Sequence, residues 1–203
     1  QTKLATMLAG GICPDVFRIH EAFMPTAVRN GLLLPLDDLI ANDSEIRLDD
    51  FFPQLVEECR HGGRMFKLPE TGGSVMLYYN KDLFDRAGLS YPDDSWTWKE
   101  FLDAARALTL RGPDGVTAQW GVDGPGRGWL HYIIFIWQNG GELFDPDNHL
   151  VIGRPEYLDR NVEALEFLRD LVARHRVSEY LASSDVSPMD PFLAGKVGMV
   201  MQG

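Results

Sequence analysis

The chain lacks most of the features that mark nucleic-acid-binding and membrane-spanning proteins. It carries 19 Lys and Arg against 30 Asp and Glu in 203 residues, a formal net charge of −11. This deficit of basic residues excludes a nucleic-acid-binding protein that relies on phosphate contacts. No apolar run approaches the roughly 20 residues that a transmembrane helix needs. With 45% apolar residues the chain is nevertheless hydrophobic enough to form a folded core.

Cysteine is also scarce. Cys13 and Cys59 are the two cysteines of the sequence, and neither has the Cys/His spacing of a zinc site. Cys59 follows helical spacing with Leu55 and Val56, which favours a small buried side chain over a disulfide. We predict neither a metal site nor a cofactor. The first residues lack the basic start and apolar stretch of a signal peptide, so we expect the chain to begin as a mature or trimmed segment.

No pattern typical of catalysis is present. The sequence contains no G-x-S-x-G, no P-loop and no H-E-x-x-H. Residues 124–128 are rich in glycine, but their spacing is wrong for a dinucleotide-binding loop. Paired carboxylates such as Asp49 and Asp50 could act as acid and base only if two of them converged in a cleft. We therefore predict no catalytic residue and keep a glycoside-active enzyme as an alternative.

In the first half of the chain, extended and helical patterns alternate. Residues 14–19 form a short β-prone run, and residues 51–60 have apolar side chains at helical spacing. Residues 75–79 are almost wholly apolar, which predicts an interior strand buried on both faces. Residues 80–87 predict a short helix that stops at Gly88. This alternation indicates an α/β fold.

The second half carries the strongest local signals. Thr97 and Glu100 form a capping-box pattern that predicts a helix start at Thr97. Residues 129–138 are apolar nearly all round, which favours a buried helix, and residues 142–144 and 149–152 flank a hairpin turn. We predict that the helix beginning at Thr97 has the inner face Phe101, Ala104, Ala105 and Leu108. A later helix, beginning at Pro155, is predicted to bury Leu158, Val162, Leu165, Leu168 and Val172.

Polar and aromatic residues follow several of these predicted strands. His20 and Glu21 follow one strand and Glu70 follows another, and open α/β sheets place their ligand sites at such strand ends. Trp129 follows the glycine-rich loop, and its position leaves a core role and a ligand-facing role equally open. A core role is favoured for the other tryptophans, which are Trp96, Trp98, Trp120 and Trp137.

Taken together, several segments resemble the extracellular solute-binding proteins of ABC importers, in the sugar-binding branch similar to maltose-binding protein. The most specific segment is Tyr-Asn-Lys-Asp-Leu-Phe at residues 79–84, and the resemblance runs from about residue 8 to the last residue. The other matching segments are residues 14–17, 30–40, 85–89, 96–101 and 192–199.

This resemblance implies the two-lobe periplasmic binding protein fold of type II. Residues 1–74 would be part of the first lobe, 75–80 the crossover strand region and 81–203 most of the second lobe. In the family, a first strand-helix unit and a lipoprotein signal would precede Gln1, and further helices would follow Gly203. We therefore expect a truncated fragment that either self-associates or exposes a large apolar patch.

The resemblance also implies a set of ligand-binding residues in the cleft between the lobes. A tryptophan ring suits the apolar face of a sugar, and Arg127 and Glu21 could bind hydroxyl groups by charge-assisted hydrogen bonds. The residues that match the contact positions of the family are His20, Glu21, Glu70, Thr71, Ser74, Arg127, Trp129, Gly140, Gly141 and Gln202.

The function implied is that of a non-enzymatic carbohydrate receptor. Such a protein lies outside the cytoplasm, in the periplasm or as a cell-surface lipoprotein, and delivers its solute to the membrane permease of an ABC importer. A non-sugar solute such as a polyamine stays open as an alternative, because the negative charge of the chain would attract a cation.

Overall fold

The structure is a computed structural model that divides into two compact units. Unit 1 comprises residues 1–73 and unit 2 comprises residues 74–203. Assignment of these units to the two lobes of a binding protein stays a prediction. The residues that the structure describes are 4, 6–7, 10–12, 14–20, 23–70, 72–123, 129–146, 149–179 and 189–202, and for residues 129 and 130 it describes the backbone alone.

Unit 1 is built from short helices and one small hairpin. Gly62 and Gly63, with φ of 59° and 79°, connect the two strands of this hairpin, in which Arg60 pairs with Met65. Both turn positions need positive φ, which glycine adopts without strain. In chain order the elements are α1 (Met24–Arg29), α2 (Asp37–Ala41), a 3₁₀ helix (Leu48–Asp50), α3 (Pro53–Glu57), β1 (Arg60–His61) and β2 (Arg64–Met65).

Two of the predictions for unit 1 are wrong in detail. Residues 14–19 form no strand. No described strand lies beside them to form the backbone hydrogen bonds of a sheet. The helix predicted over residues 51–60 is limited to Pro53–Glu57, because the glycine pair closes a hairpin and draws Arg60 into a strand. Burial of Cys59, at 1% exposure, is confirmed. Cys13 lies outside the described residues.

Unit 2 contains a four-stranded mixed sheet with helices between its strands. The strand order is β3-β6-β5-β4, in which β6 runs antiparallel to β3 and parallel to β5. Its elements are β3 (Met76–Tyr79), α4 (Lys81–Ala87), α5 (Trp98–Leu108), β4 (Leu110–Arg111), β5 (Thr117–Val122), α6 (Trp129–Gln138), α7 (Pro155–Ala173), α8 (Met189–Leu193) and β6 (Val197–Gln202).

The strand predicted at residues 75–79 is confirmed as β3, but its interior position is wrong for the part of the chain that the structure describes. There β3 is an edge strand that pairs with β6 alone. Met76 and Tyr78 are 59% and 43% exposed, whereas Leu77 and Tyr79 are half-buried against the core. Apolar composition alone does not distinguish a central strand from an edge strand, since both can be uniformly hydrophobic.

Both helix starts predicted after β3 are confirmed. The side chain of Asn80 accepts a hydrogen bond from the amide of Leu83, and α4 ends at Gly88 with φ of 66°. Thr97 caps α5 by accepting from the amide of Lys99, and its own amide donates to the Glu100 carboxylate at 3.0 Å. These caps satisfy amides that the helices leave without an internal partner.

The core of unit 2 lies between the sheet and the long helices. The four residues predicted for the inner face of α5 are all buried in it. Helix α6 covers the predicted residues 129–138. The apolar surface of α6 packs against α7 and the aromatic side chains of α5.

The predicted inner face of α7 is wrong. Leu158, Val162 and Leu165 are 43%, 44% and 37% exposed, and of the predicted stripe only Leu168 is buried. The buried residues are Asn161, Ala164, Leu168 and Leu171. Asn161 decides this orientation, because its amide makes three backbone hydrogen bonds in a part of the fold where those groups would otherwise be buried without partners.

The predicted hairpin after α6 is confirmed as a short one, with an antiparallel bridge between Phe144 and Leu150. On either side of the bridge, the amide of Asp145 donates to the carbonyl of His149 and the amide of Val151 to that of Leu143. Trp137 also departs from its predicted core role, since its side chain is 55% exposed on α6. Trp96 and Trp98 are half-buried and pack against the core of unit 2. Large aromatic side chains are often only partly buried, so their number alone does not predict which of them fill a core.

Candidate functional site

The candidate site of unit 2 lies where the parallel strands β5 and β6 end. Trp120 pairs with Val197 and Val122 with Met199, so the carboxyl ends of both strands lie at the same edge of the sheet. Residues that follow such strand ends converge on one surface, which is where open α/β sheets bind ligands. Here Asp123 follows β5, and Gln202 is the last residue of β6.

Helix α6 begins beside this edge. The ring Nε2 of His131 lies 3.2 Å from the carbonyl oxygen of Met201, and because a carbonyl only accepts, Nε2 carries the proton and donates. This contact joins the first turn of α6 to the end of β6. Trp129 lies two residues before His131 in α6, and Gln202 directly follows Met201 in β6, so the contact also brings their backbones close together. The structure therefore brings the predicted positions of Trp129 and Gln202 to one edge.

Asp123 gives this edge a buried carboxylate. Its residue is 5% exposed, and its amide donates to the carbonyl of Met199 at 2.9 Å, which extends the pairing of β5 with β6. Asp123 also lines a cavity of about 390 Å³ that extends from this edge toward the amino ends of both strands. The other lining residues are Thr117, Ala118, Trp120, Glu179, Pro191, Lys196 and Val197. An indole ring, carboxylates and an ammonium group can together contact the ring face and the hydroxyl groups of a polyol.

Gly140 and Gly141 lie at the other end of α6. A helix of ten residues is about 15 Å long, so the pair is separated by this length from the Trp129 position. Gly140 has φ of 69° and ends the helix. Gly141 has a packing role, since a Cβ there would lie 2.0 Å from Oδ1 of the buried Asn161. The structure does not bring this pair to the edge formed by β5 and β6.

An exposed indole accompanies the glycine pair. Trp137 donates from Nε1 to Oε1 of Glu142 at 2.8 Å, and the amide of Leu143 donates to the same oxygen at 2.9 Å. These donors lower the pKa of Glu142, with the indole hydrogen bond as the largest cause. The carboxylate therefore stays ionised and holds the ring in place. This end of α6 offers an aromatic face that the sequence analysis had assigned to the core.

A second concave surface of unit 2 is an aromatic groove of about 550 Å³. Trp98 stacks on Phe167 with ring centroids 4.6 Å apart, and its Nε1 donates to Oε1 of Gln138 at 2.9 Å. The described lining of this groove contains none of the predicted ligand residues that the structure describes. It is lined by Leu77, Trp96, Thr97, Trp98, Phe101, Phe135, Gln138, Asn139 and Met201.

In unit 1 an ion pair connects two loops that contain predicted ligand residues. Arg18 Nε lies 2.7 Å from Oε2 of Glu70, with side chains 71% and 57% exposed. This contact places the loop that carries His20 beside the loop that carries Glu70. His20 is exposed, and its carbonyl accepts from the amide of Phe23. Ser74, which is also exposed, belongs to unit 2.

Three predicted ligand residues, Glu21, Thr71 and Arg127, lie outside the described residues, as does the side chain of Trp129. Arg18, Asp123 and His131 lie at these sites without having been predicted. Asp123 would have followed from a strand at residues 117–122, but Gln119 and Gly121 weaken the β pattern there. Contacts of Arg18 and His131 span 52 and 70 residues, and no local pattern predicts them.

The described residues contain neither a metal-binding cluster nor a helix suited to cross a membrane. Among them, no group of three His, Cys, Asp or Glu side chains is close enough to hold a metal ion. No helix in the described part of the chain has both the length and the apolar character to cross a membrane.

Known proteins that match the chain are solute-binding proteins. It is 25% identical over 177 residues to an arabinooligosaccharide-binding protein of Halalkalibacterium halodurans, a match covering 87% of this chain and 37% of that protein. It is 40% identical over 112 residues to the sn-glycerol-3-phosphate-binding periplasmic protein UgpB of Rhizobium meliloti, covering 53% of this chain and 26% of that protein.

Solved structures extend this likeness to the fold. An ABC substrate-binding protein of Listeria monocytogenes, in complex with cycloalternan, superimposes with a TM-score of 0.86 at 32% identity. The match covers 99% of this chain and 50% of the Listeria chain, so the sequence spans about half the length of that relative. The family model described as bacterial extracellular solute-binding protein matches residues 1–203. The chain therefore belongs to the bacterial extracellular solute-binding protein family.

Proposed function

We propose that this chain is the solute-recognition part of an ABC uptake transporter and that its solute is a carbohydrate. The observation that carries the proposal is the likeness to the Listeria protein in complex with cycloalternan, at a TM-score of 0.86 over 99% of this chain. The relative from Halalkalibacterium halodurans, named for arabinooligosaccharide binding, supports the same class of solute.

The chemistry of the β5/β6 edge supports a sugar. Sugars combine an apolar ring face with several hydroxyl groups, which suits an aromatic ring flanked by carboxylates and amides. The edge offers the Asp123 carboxylate, the Gln202 amide and the position of Trp129 at the start of α6. In this proposal Trp129 is the platform for the sugar ring, and Gln202 binds hydroxyl groups.

The other predicted ligand residues have roles different from those of Trp129 and Gln202. His20, Glu70 and Ser74 are exposed polar residues at loop positions and would bind hydroxyl groups. Glu21 and Thr71, which directly follow His20 and Glu70 in the sequence, and Arg127, two residues before Trp129, would do the same. Gly140 and Gly141 would act on binding only through the position of α6.

We also propose where the protein acts and to which kind of partner it delivers its solute. The protein would act outside the cytoplasm, as its family does, and would deliver the solute unchanged to a membrane permease. It would not be an enzyme. Chromatography of the sugar after long incubation tests this point, since recovery of shortened products would contradict a receptor.

A ligand screen by thermal unfolding tests the choice of solute. A ligand present at about 100 times its dissociation constant stabilises the folded state by about 2.7 kcal/mol. We expect cycloalternan or an arabino-oligosaccharide to raise the unfolding temperature by several degrees, with calorimetry confirming one-site binding. A shift with spermidine alone would support the polyamine alternative. No shift with any sugar would overturn the carbohydrate proposal.

The match to UgpB makes sn-glycerol 3-phosphate the second candidate solute, because the matched stretch is 40% identical. A phosphate is a dianion that needs cationic partners, whereas the chain has a net charge of −11. We therefore expect a weaker thermal shift with sn-glycerol 3-phosphate than with the sugars. The reverse order would favour the phosphate.

Two tryptophans of α6 form a matched pair for locating the sugar. Trp129→Ala removes the proposed platform, and Trp137→Ala removes the exposed indole at the other end of the same helix. We expect Trp129→Ala to weaken binding by about 1 to 3 kcal/mol. Trp137→Ala should leave binding within about threefold of wild type. Equal losses from the two variants would contradict a platform at Trp129.

A further inference from the structure

One side of strand β6 changes its hydrogen-bond donor where β5 ends. The carbonyl of Met199 accepts from the amide of Asp123 at 2.9 Å, a bond that continues the pairing of β6 with β5. Alternate residues of a strand direct their backbone groups to the same side, so the carbonyl of Met201 faces the side of β5 as well. Because Val122 lies opposite Met199 and is the last residue of β5, Met201 extends beyond the end of that strand.

The side chain of His131 provides the donor at this position. Its ring Nε2 donates to the carbonyl oxygen of Met201 at 3.2 Å, although the two residues are 70 positions apart in the chain. His131 is half-buried and is the third residue of α6. A partly buried carbonyl that loses its donor costs free energy, so this contact favours one position of the helix start. The first turn of α6 is therefore held directly by the end of β6.

Core packing holds the middle of α6 more firmly than its start. Phe135 and Ile136 are 3% and 1% exposed and belong to the core cluster of unit 2. Tyr132, which follows His131, is 40% exposed. A helix that is packed beyond its first turn can still shift at its start, and a directional hydrogen bond limits that shift. The hydrogen bond of His131 therefore has its main effect on the start of α6.

We propose that His131 is a positioning residue for solute binding. Its hydrogen bond sets the distance between the start of α6, which carries Trp129, and the end of β6, which carries Gln202. The inference rests on the proposed function, in which Trp129 is the platform for a sugar ring and Gln202 binds hydroxyl groups. His131 acts through the backbone of the two elements and does not itself touch the sugar.

The separation between a ring platform and a hydroxyl-binding group determines how well a sugar fits. Binding groups must be held to within about 0.5 Å of their working positions, and helices and strands hold them more precisely than loops do. Here the contact between His131 and Met201 joins a helix to a strand next to both groups. Loss of the contact should therefore reduce sugar affinity more than it reduces the stability of the fold.

Side chains of different reach test the contact. Glutamine places its amide nitrogen near the position of a histidine Nε2, whereas asparagine is one methylene shorter and phenylalanine has no donor. We expect His131→Asn and His131→Phe to weaken binding of the sugar selected by the thermal screen, cycloalternan or an arabino-oligosaccharide, about tenfold in calorimetry. His131→Gln should stay within about threefold of wild type. The matched control is His149→Phe, on an exposed residue of the hairpin after α6, and it should bind like wild type.

A double-mutant cycle with Trp129 separates positioning from a general effect on the fold. If His131 acts by positioning Trp129, His131→Asn should cost less than about threefold in affinity once Trp129→Ala has removed the platform. Two independent effects would instead multiply, and the double variant would be weakened by the product of the single losses. Such a product would contradict the positioning role, since a general structural change lowers affinity with or without the indole.

Hydrogen exchange without sugar tests the contact by itself. Peptides from α6 should exchange about threefold faster in His131→Asn than in His131→Gln, because only the longer amide holds the helix start. Equal exchange in the two variants would overturn the positioning role. Circular dichroism checks the fold of each variant. Loss of folding in His131→Asn but not in His131→Gln would show that His131 supports the whole fold, which also contradicts the inference.

The outcomes separate this inference from the proposed function. If wild type binds the selected sugar and the asparagine and phenylalanine variants bind it equally well, the role of His131 is overturned and the carbohydrate proposal stands. If wild type binds no sugar, the proposed function is overturned, and the role of His131 in it falls as well. A loss of about tenfold, rescue by glutamine and a cycle in which the losses do not multiply would together support His131 as a positioning residue.

Discussion

The two units of this chain differ sharply in the amount of core that they contain. Among the described residues, four buried apolar side chains belong to unit 1, which are Met24, Ala27, Cys59 and Met65, and eighteen belong to unit 2. Helices α1, α2 and α3 of unit 1 have six, five and five residues, whereas α5 and α7 of unit 2 have 11 and 19. The contiguous core cluster lies wholly in unit 2.

This difference predicts an uneven distribution of stability. Burial of apolar surface contributes about 25 cal/mol per Å², and helices as short as those of unit 1 are not stable by themselves. Unit 1 should therefore open locally at a lower free energy than unit 2. Hydrogen exchange checks this directly: amides of α1 and α2 should exchange before those of α5 and α7. Equal protection of the amides in both units would show that the two units do not differ in local stability.

The largest effect is expected in the core of unit 2. Phe84 is fully buried and packs edge-on against Tyr79 with ring centroids 5.2 Å apart. Phe84→Ala should reduce the free energy of unfolding by about 3 to 5 kcal/mol, since it leaves a cavity. Urea unfolding followed by tryptophan fluorescence reports on this unit, because all five tryptophans lie in it.

The matched control for Phe84 is an exposed phenylalanine of unit 1. Phe52 precedes α3 with 76% of its surface exposed. Phe52→Ala should change stability by less than about 0.5 kcal/mol. A loss as large as that of Phe84→Ala would show that unit 1 relies on Phe52 in a way that its exposure does not indicate.

The next effect separates packing from ligand binding at the glycine pair. Gly141→Ala would place a Cβ 2.0 Å from Oδ1 of Asn161, which is held by three hydrogen bonds and cannot move freely. We expect a loss of about 1 to 3 kcal/mol in urea unfolding. Gly153→Ala is the control, because a Cβ there meets nothing within 4 Å. A stable Gly141→Ala protein with impaired sugar binding would favour the ligand-contact role.

A smaller effect is expected at the cap of α5. Thr97→Ala removes the acceptor for the Lys99 amide and should cost about 1 kcal/mol of stability. Thr97→Ser keeps the hydroxyl group and should restore most of this loss. If serine behaved like alanine, the methyl group of Thr97 rather than its hydrogen bonds would support the helix start.

The capping box also predicts a pH dependence. Hydrogen bonds from the Thr97 side chain and then from backbone amides lower the pKa of Glu100 below its ordinary value. The folded state therefore binds fewer protons than the unfolded state, and the contribution of Glu100 is present above the ordinary glutamate pKa. It is lost as pH falls through the lowered pKa. The stability difference between wild type and Glu100→Gln should shrink over that interval, and a constant difference would contradict this.

The smallest effect is expected at the exposed ion pair of unit 1. Exposed pairs such as Arg18 with Glu70 contribute little, so Glu70→Gln should change stability by less than about 0.5 kcal/mol. If Glu70 binds the solute as proposed, the same variant should lower sugar affinity at an unchanged unfolding temperature. Unchanged affinity would show that Glu70 takes no part in solute binding.

The accuracy of the sequence predictions follows the range of the interactions behind them. The cap at Thr97, the stop at Gly88 and the helix at residues 129–138 depend on neighbours within a few residues, and all three are confirmed. The strand at residues 14–19 and the long helix at 51–60 are wrong, because strand partners and the hairpin at Gly62 and Gly63 decide those segments.

By itself the sequence determined the α/β class, the boundaries of most helices in unit 2, the buried face of α5 and the resemblance to the solute-binding family. These follow from local hydrogen bonding, from apolar periodicity and from short segment patterns. Tertiary structure alone decided that β3 lies at the margin of the sheet formed by the described strands and that α7 turns Asn161 inward and Leu158 outward. It also decided that Asp123 and His131 lie at the edge where Gln202 ends β6. The reason is that each of these depends on contacts between residues far apart in the chain, where burial and backbone hydrogen bonding outweigh the local pattern.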